Sequence, residues 1–174
     1  MGAVRKIREN HYFIRKTTME DLNEVIKIYD YARRFMRQTG NFEQWANNHP
    51  AKDIVEADIR AETSYVLIKG YEIQAVFYFN IEEEPTYSKI KGNWLNYRPY
   101  GVIHRIARRQ DARGAGAFCL DWCFNQHPNL KIDTHKDNRP MLRLLEKQGF
   151  KYCGIIWLKN GDERMAFQKI KRED

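Results

Sequence analysis

The stretch from Tyr100 to Phe124, YGVIHRIARRQDARGAGAFCLDWCF, carries the pattern around which the rest of the chain is organised. It opens with an apolar run, Val102 to Ala107, that alternates as a buried strand does. A basic turn follows, and then Gly114 and Gly116 precede a segment whose large apolar side chains recur at helical spacing. The stretch therefore predicts a strand, a glycine-bearing turn and a helix, in that order.

A turn of this kind at the start of a helix is one way in which proteins hold phosphate. Glycines let the backbone approach a ligand closely, and the unpaired amides and positive dipole end of the helix face the anion. Arginines adjoin the turn at Arg108, Arg109 and Arg113. The glycine spacing fits neither the P-loop nor the dinucleotide-binding pattern. We expect the turn to bind a phosphorylated ligand, the alternative being a tight connection with no ligand.

The turn resembles the acetyl-CoA-binding loop of the GNAT superfamily of N-acetyltransferases, in which the pattern is Arg/Gln-x-x-Gly-x-Gly/Ala. Arg113 to Phe118 match this pattern except at its last position, where Phe118 stands and the family usually has a small residue. The resemblance implies acetyl-CoA as cofactor, with its pyrophosphate on the turn and an oxyanion-stabilising amide near Ile106 and Ala107. The cofactor-binding residues that it implies are Ile106, Ala107, Arg108, Arg113, Gly114, Ala115, Gly116, Ala117, Phe118 and Asn138.

The segment from Asp133 to Phe150 carries the second part of the resemblance. It is similar to the strand-loop-helix segment of GNAT proteins that ends in Gly-Phe, here Gly149 and Phe150. In that family the strands around the segment splay apart, the pantetheine arm enters the gap, and an Asn at the helix start binds it. Asn138 holds the matching position. From its residue type alone Asn138 is a helix N-cap, and both roles can hold together.

The order of strands and helices predicts the fold class. We expect an α+β protein with a single GNAT-type domain at residues 12–170, after a disordered or extended start at residues 1–11. The central sheet is expected to be mixed and mostly antiparallel, flanked by helices, with splayed strands at the cofactor site. No linker, internal repeat or second domain is indicated.

The acceptor side of the cleft is predicted less directly. In GNAT domains the first helical pair lines it, which implies candidate contacts at Tyr29, Arg33, Phe35, Met36 and Trp45. Packing in the core or on a helix surface is the alternative for each of them. The polar insertion at residues 86–98 is long and holds aromatic residues, so we interpret it either as a wall over the acceptor pocket or as packing.

His104 is the candidate general base. Transfer of an acetyl group to an amine requires a neutral nucleophile, and a histidine on the strand that leads to the cofactor turn is suited to take the proton. Its position is similar to that of a histidine in the arylalkylamine acetyltransferases. A histidine that is merely hydrogen-bonded in the core is the alternative. Asp133 could orient His104 or bind a cationic acceptor, or else pair with Arg105.

The general acid is not identified by the resemblance. Many GNAT enzymes place a tyrosine four residues before the Gly of Gly-Phe, where it protonates the leaving thiolate. Leu145 occupies that position here, so the acid is expected to be Tyr152, another group or solvent. For Tyr152 the alternative is an ordinary strand aromatic.

Composition limits the classes of partner. The chain has 174 residues and a formal net charge of +7, which favours anionic ligands such as coenzyme A. Its positive charges are dispersed and no nucleic-acid-binding motif is present, so we expect no nucleic-acid partner. No apolar run is long enough to cross a membrane. Cys119, Cys123 and Cys153 suit reduced core residues, which indicates the cytoplasm and neither a metal site nor a disulfide framework.

These observations predict an acetyl-CoA-dependent N-acetyltransferase that transfers directly to a small-molecule or peptide amine in a ternary complex. The alternative is a catalytically weak CoA-binding or regulatory domain, suggested by Leu145 and Phe118. A homodimer is left open.

Overall fold

The computed structural model describes residues 11–172, so nearly all of the predicted start at residues 1–11 lies outside the described residues. In this part of the chain four helices accompany one eight-stranded sheet. The strands are β1 (Tyr12–Lys16), β2 (Ser64–Lys69), β3 (Glu72–Ile81), β4 (Lys91–Gly92), β5 (Gly101–Arg108), β6 (Asn129–Thr134), β7 (Lys151–Trp157) and β8 (Glu163–Ile170). The helices are α1 (Leu22–Gln38), α2 (Lys52–Arg60), α3 (Ala115–Gln126) and α4 (Arg139–Lys147).

Local sequence explains where the helices begin. Before α1, Thr18 and Asp21 form a capping box in which the Asp21 carboxylate accepts from the Thr18 amide at 2.8 Å. At α4 the side chain of Asn138 accepts from the amide of Met141 at 3.3 Å, and Pro140 lies in the first turn, where a missing amide costs nothing. The N-cap role predicted for Asn138 is therefore present.

The strand order is β1-β2-β3-β5-β6-β8-β7-β4, and every pair is antiparallel except β5 with β6. That parallel pair is short, since it joins only Gly101 to Leu130 and Val102 to Lys131. From Ile103 onward β5 has no partner on β6, so the sheet opens between the two strands. The predicted α+β class with a mostly antiparallel sheet is confirmed.

Helices cover both faces of the sheet. The pair α1 and α2 packs on one face through residues such as Val25 and Val55, against Val66 and Val76 of the sheet. On the other face α3 and α4 pack over Phe77 and its neighbours, where Leu145 is fully buried. Because successive side chains of a strand point to opposite faces of the sheet, each strand contributes to both of these layers. Among residues 11–172, no helix combines the length and apolar character that crossing a membrane requires.

A β-bulge interrupts β5 just before the sheet opens. Val76 pairs with Ala107 and Tyr78 pairs with His104, so Arg105 and Ile106 together oppose the single residue Phe77. Arg105 adopts a left-handed backbone conformation with φ of 49°, which is strained for a residue with a side chain. Bulges redirect the side chains beside them, and this one lies directly after His104.

Candidate active site

A cleft of about 520 Å³ opens where β5 and β6 diverge. Its walls come from the β5 bulge, the end of β6, the start of α4, the loop between α1 and α2, and the segment after β3. The lining residues are Met36, Gln44, Trp45, His49, Asp58, Tyr78, Glu82, Glu84, Thr86, Ile103, His104, Arg105, Ile106, Ile132, Asp133, Thr134, Asn138, Met141, Leu158 and Arg164.

His104 and Glu84 form a pair in the lining of the cleft. Nε2 of His104 lies 3.1 Å from Oε2 of Glu84, and both side chains are mostly buried. The other oxygen of Glu84 accepts from the Thr86 hydroxyl at 2.9 Å. The hydrogen bond with His104 is the main reason that the pKa of the Glu84 carboxyl is lowered to about 2, although burial opposes it. Glu84 is therefore an anion at neutral pH and fixes the imidazole ring.

Tyr78 flanks the pair on the neighbouring strand. Its ring centroid lies 5.3 Å from that of His104, and its hydroxyl donates to Glu82. Burial, assisted by the Glu82 carboxylate, raises the pKa of the Tyr78 hydroxyl, so it remains protonated. The Tyr78 hydroxyl is thus neutral, and its proton is donated to Glu82.

Arg105 is held by contacts from three elements outside β5, namely α1, α2 and β3. Its guanidinium makes a bidentate ion pair with Asp58 of α2, at 2.8 and 2.9 Å, and lies over the Tyr78 ring. Its carbonyl accepts from the Tyr29 hydroxyl at 2.8 Å. Burial raises the pKa of the Asp58 carboxyl, and Arg105 opposes that shift. These contacts offset the strain of the left-handed backbone at the bulge.

Asp133 lies across the cleft at the end of β6. It accepts from the hydroxyl of Tyr87 at 2.6 Å. Its partner is therefore neither His104, which pairs with Glu84, nor Arg105, which pairs with Asp58. Contact of Asp133 with a cationic acceptor stays a prediction, and its place in the cleft lining is consistent with it.

Gln44 connects the loop between α1 and α2 to the opposite wall. Its side-chain oxygen accepts from Asn138 at 2.9 Å and from Asn41 at 2.9 Å, and its amide donates to Thr134 at 3.3 Å. The side-chain oxygen of Asn138 thus caps α4, and its side-chain nitrogen donates to Gln44 in the cleft lining.

The turn before α3 leaves several backbone amides open. Gly114 is the N-cap residue with φ of 80°, a conformation that favours glycine. Within the described residues the amides of Gly116 and Ala117 have no backbone acceptor, whereas Phe118 donates to Gly114 at 3.1 Å. Arg108 braces the turn, since its guanidinium donates to the carbonyls of residues 109 and 110 at 2.9 Å each. The turn presents free donors beside exposed Arg113.

Gly116 and Phe118 show how α3 packs. A β-carbon at Gly116 would come within 2.9 Å of Leu144 on α4, so the glycine permits close helix packing. Phe118 is 39% exposed and its ring lies 5.6 Å from that of Tyr12 on β1. The bulky side chain therefore extends toward β1.

The structure does not bring Tyr152 into the cleft. It is 54% exposed on β7 and packs edge-on against Phe167, outside the set of lining residues. Leu145, at the position of the expected tyrosine, is fully buried in the core. Of the expected acceptor contacts, Met36 and Trp45 line the cleft, whereas Tyr29, Arg33 and Phe35 are absent from its lining.

Sequence reasoning missed Glu84, Asp58 and Arg164. The run Glu82-Glu83-Glu84 directly after β3 was a usable signal, because β3 is hydrogen-bonded to the strand of His104. No comparable sequence signal marks Asp58 or Arg164. Each is one of several charged residues in its amphipathic element, and nothing in the local pattern distinguishes it from the others.

Several solved structures with the same fold are acetyltransferases. No family model and no curated protein sequence matches the chain. A GNAT-family acetyltransferase from Streptococcus agalactiae is 29% identical, with a TM-score of 0.84 over 93% of this chain and 96% of that one. A GNAT-family acetyltransferase from Listeria monocytogenes is 14% identical, with a TM-score of 0.67 over 92% and 95%. A proposed acetyltransferase from Salmonella typhimurium, solved with its cofactor acetyl-CoA, is 14% identical, with a TM-score of 0.63 over 94% and 96%.

The fold is therefore that of the GNAT acetyltransferases, and the predicted resemblance is confirmed. The neighbours support an N-acetyltransferase activity in general terms. The Salmonella typhimurium neighbour was solved with acetyl-CoA, and the residues present in this chain fit that cofactor. The open amides at Gly116 and Ala117 suit its pyrophosphate, and the gap beyond Val102 suits its extended arm.

Proposed function

We propose that this protein is an acetyl-CoA-dependent N-acetyltransferase that transfers the acetyl group directly to an amine in a ternary complex. The observation that carries the proposal is the His104–Glu84 pair, placed 3.1 Å apart on the cleft wall beside the opening of the sheet. Acetyl-CoA would supply the activated thioester. The remaining requirements fall on side chains and backbone of this chain.

The first requirement is a neutral nucleophile. His104 takes the proton of the acceptor ammonium at a ring nitrogen, directly or through water, and Glu84 stabilises the imidazolium that forms. Because the low pKa of Glu84 keeps it charged, it supplies this stabilisation throughout the neutral range. Glu82 and Asp133 add negative charge to the cleft, which attracts a cationic amine.

The second requirement is stabilisation of the carbonyl oxygen as it gains negative charge. The bulge turns the backbone of Arg105 and Ile106, and this part of β5 has no strand partner on the β6 side. We assign the oxyanion donor to a backbone amide near Ile106 and Ala107, the usual device in acyl transfer.

Replacement of His104 tests the proposal. His104→Ala should lower turnover by roughly 10²-fold, the low end for acid–base catalysis, and should remove the limb of turnover that rises with pH. Glu84→Gln should lower turnover by a smaller factor, because the ring stays in place without its anion. Turnover is measured as thiol release with a competent amine, and acetyl-CoA affinity is measured by calorimetry.

A matched control is His127→Ala. His127 lies after α3, where Nε2 is 2.9 Å from the carbonyl of Pro99, and it does not line the cleft. Its replacement should leave turnover unchanged. If His104→Ala keeps the rate and pH profile of the parent, His104 is a core histidine and the base lies elsewhere.

One observation favours a second function, a CoA-binding domain with weak or no catalysis. Leu145 lies in the core and Tyr152 outside the cleft, so neither supplies a general acid there. Under this function acetyl-CoA would bind, while no amine in a broad set would accelerate thiol release. Acceleration by any amine would exclude it.

A further inference from the structure

Arg164 is a buried cation on the cleft wall that the proposed chemistry does not use. It lies on β8 and is 4% exposed, yet it is among the residues that line the cleft. Its guanidinium donates to the carbonyl of Glu163 at 2.9 Å and to that of Gln44 at 3.5 Å. Within residues 11–172 no carboxylate lies within ion-pair distance of it.

Such an arrangement is costly for the free protein. A buried charge requires a partner of opposite charge or a full set of hydrogen bonds, and a guanidinium has five donors. Two carbonyls leave donors of Arg164 unused. Burial lowers the pKa of Arg164, and the carboxylates of Asp133, Asp162 and Glu43 oppose that shift from beyond ion-pair distance. A planar oxyanion is the ligand that matches the geometry of a guanidinium, because it accepts two parallel hydrogen bonds.

The remaining charges of the cleft define the other half of the ligand. Arg105 and Asp58 neutralise each other as a bidentate pair. The lining then retains the carboxylates of Glu82, Glu84 and Asp133 and, as its remaining arginine, Arg164. A cleft lined by carboxylates and by one buried guanidinium that has no ion-pair partner suits a molecule that is itself positive at one end and negative at the other.

We propose that the acceptor is an amine that also carries a carboxylate, an amino-acid-type molecule whose carboxylate pairs with Arg164. This assignment rests on the proposed function and names the substrate class of the same site. The amine end lies at the His104–Glu84 pair, where its proton is removed. A volume of about 520 Å³ is sufficient for an amino acid beside the reacting end of the cofactor. Met36, Trp45 and Leu158 supply apolar contacts for the rest of the molecule.

The test compares acceptors that differ only in the carboxylate. Amino acids are assayed beside their carboxamides and the corresponding decarboxylated amines, and kcat/KM is obtained from acetyl-CoA-dependent thiol release. The parent protein should prefer the carboxylate form by about tenfold or more, the scale of a charge-assisted bidentate contact. In Arg164→Gln that preference should disappear, with little change for the carboxamides. Arg164→Lys should retain part of it.

Controls separate binding from folding. Lys159→Gln removes an exposed cation from the turn between β7 and β8, outside the cleft lining, and should keep the preference. Thermal melting and acetyl-CoA calorimetry show whether Arg164→Gln is folded. If it is not folded, the parent and Arg164→Lys still decide the question through their acceptor preferences.

The outcomes distinguish this inference from the proposed function. If amines release thiol equally with and without a carboxylate, or if Arg164→Gln keeps the preference, the inference is wrong and the acetyltransferase function stands. If no amine of either kind releases thiol, the proposed function itself fails.

Discussion

Lys131 is a lysine whose ammonium group is buried between two aromatic rings. It lies on β6 at 3% exposure, with its ammonium 4.1 Å from the centroid of Trp94 and 4.0 Å from that of Tyr100. Burial lowers the pKa of Lys131 to about 8. The two rings attract the cation and offset part of that penalty.

The lowered pKa predicts a pH dependence of stability. Between about pH 8 and pH 10.5 the unfolded chain binds the Lys131 proton more tightly than the folded chain, so the free energy of unfolding should rise with pH. Below pH 8 both states are charged and this residue contributes no slope. From pH 7.5 to 9.5 the parent should gain about 1–2 kcal/mol relative to Lys131→Met, measured by urea unfolding. Equal slopes for the two proteins would show that the ammonium is not desolvated.

At the scale of elements, the β5 bulge depends on contacts from α1 and α2. The Tyr29 hydroxyl reaches the carbonyl of Arg105 at 2.8 Å, although the two residues are 76 positions apart. Tyr29→Phe removes this hydrogen bond and keeps the ring. We expect it to lower the free energy of unfolding by about 1 kcal/mol and to lower turnover, because the bulge positions His104.

Tyr31→Phe is the matched control on the same helix. The Tyr31 ring stacks on Phe35, and its hydroxyl makes no hydrogen bond within the described residues. Its replacement should change neither the stability nor the turnover. Should both variants behave alike, the bulge does not depend on the Tyr29 hydroxyl.

Part of the site could be predicted from the sequence and part could not. The turn at Gly114 and the cap at Asn138 were predictable, because glycine spacing and an N-cap are local signals. The partners of His104 and Arg105 were not, since Glu84 and Asp58 lie 20 and 47 positions away in sequence. Local patterns predict elements, whereas the pairing of charges across a cleft depends on register and on a bulge that no single residue type indicates.

Residues 86–98 were expected either to form a wall over the acceptor pocket or to serve in packing, and different residues of the segment do each. Thr86 lines the cleft as a wall, and Trp94 packs in a separate apolar cluster with Cys153 and Ile156. Within this insertion β4 joins the far edge of the sheet by pairing with β7. Such a strand of two residues has too short a pattern to be predicted from sequence.

At the scale of the whole molecule, the sheet consists of two halves joined by a short seam. One half holds β1, β2, β3 and β5, and the other holds β6, β8, β7 and β4. Only two residue pairs connect β5 to β6. A ligand that lies in the gap beyond Val102 should therefore protect the facing backbone of both halves.

Hydrogen exchange with and without acetyl-CoA measures this effect. We expect slower exchange at residues 103–107 of β5 and 132–134 of β6 when the cofactor is bound, because it fills the gap between them. The edge pair of β1 and β2 should be unchanged and serves as an internal control. Protection confined to the turn at residues 113–118 would mean that the pantetheine arm lies outside the gap.

The segment after β3 crosses the seam beyond the proposed catalytic pair. Glu84 stays with the first half, because its amide donates to the Tyr100 hydroxyl at 2.9 Å and its carboxylate lies 3.1 Å from His104. Three residues later the Tyr87 hydroxyl donates to Asp133 on β6, and β4 then pairs with β7. The segment is thus a tether between the two halves, and the proposed base and its anion lie together at one end of it. A change in the width of the gap would move the Tyr87 anchor relative to the pair and leave the pair itself intact.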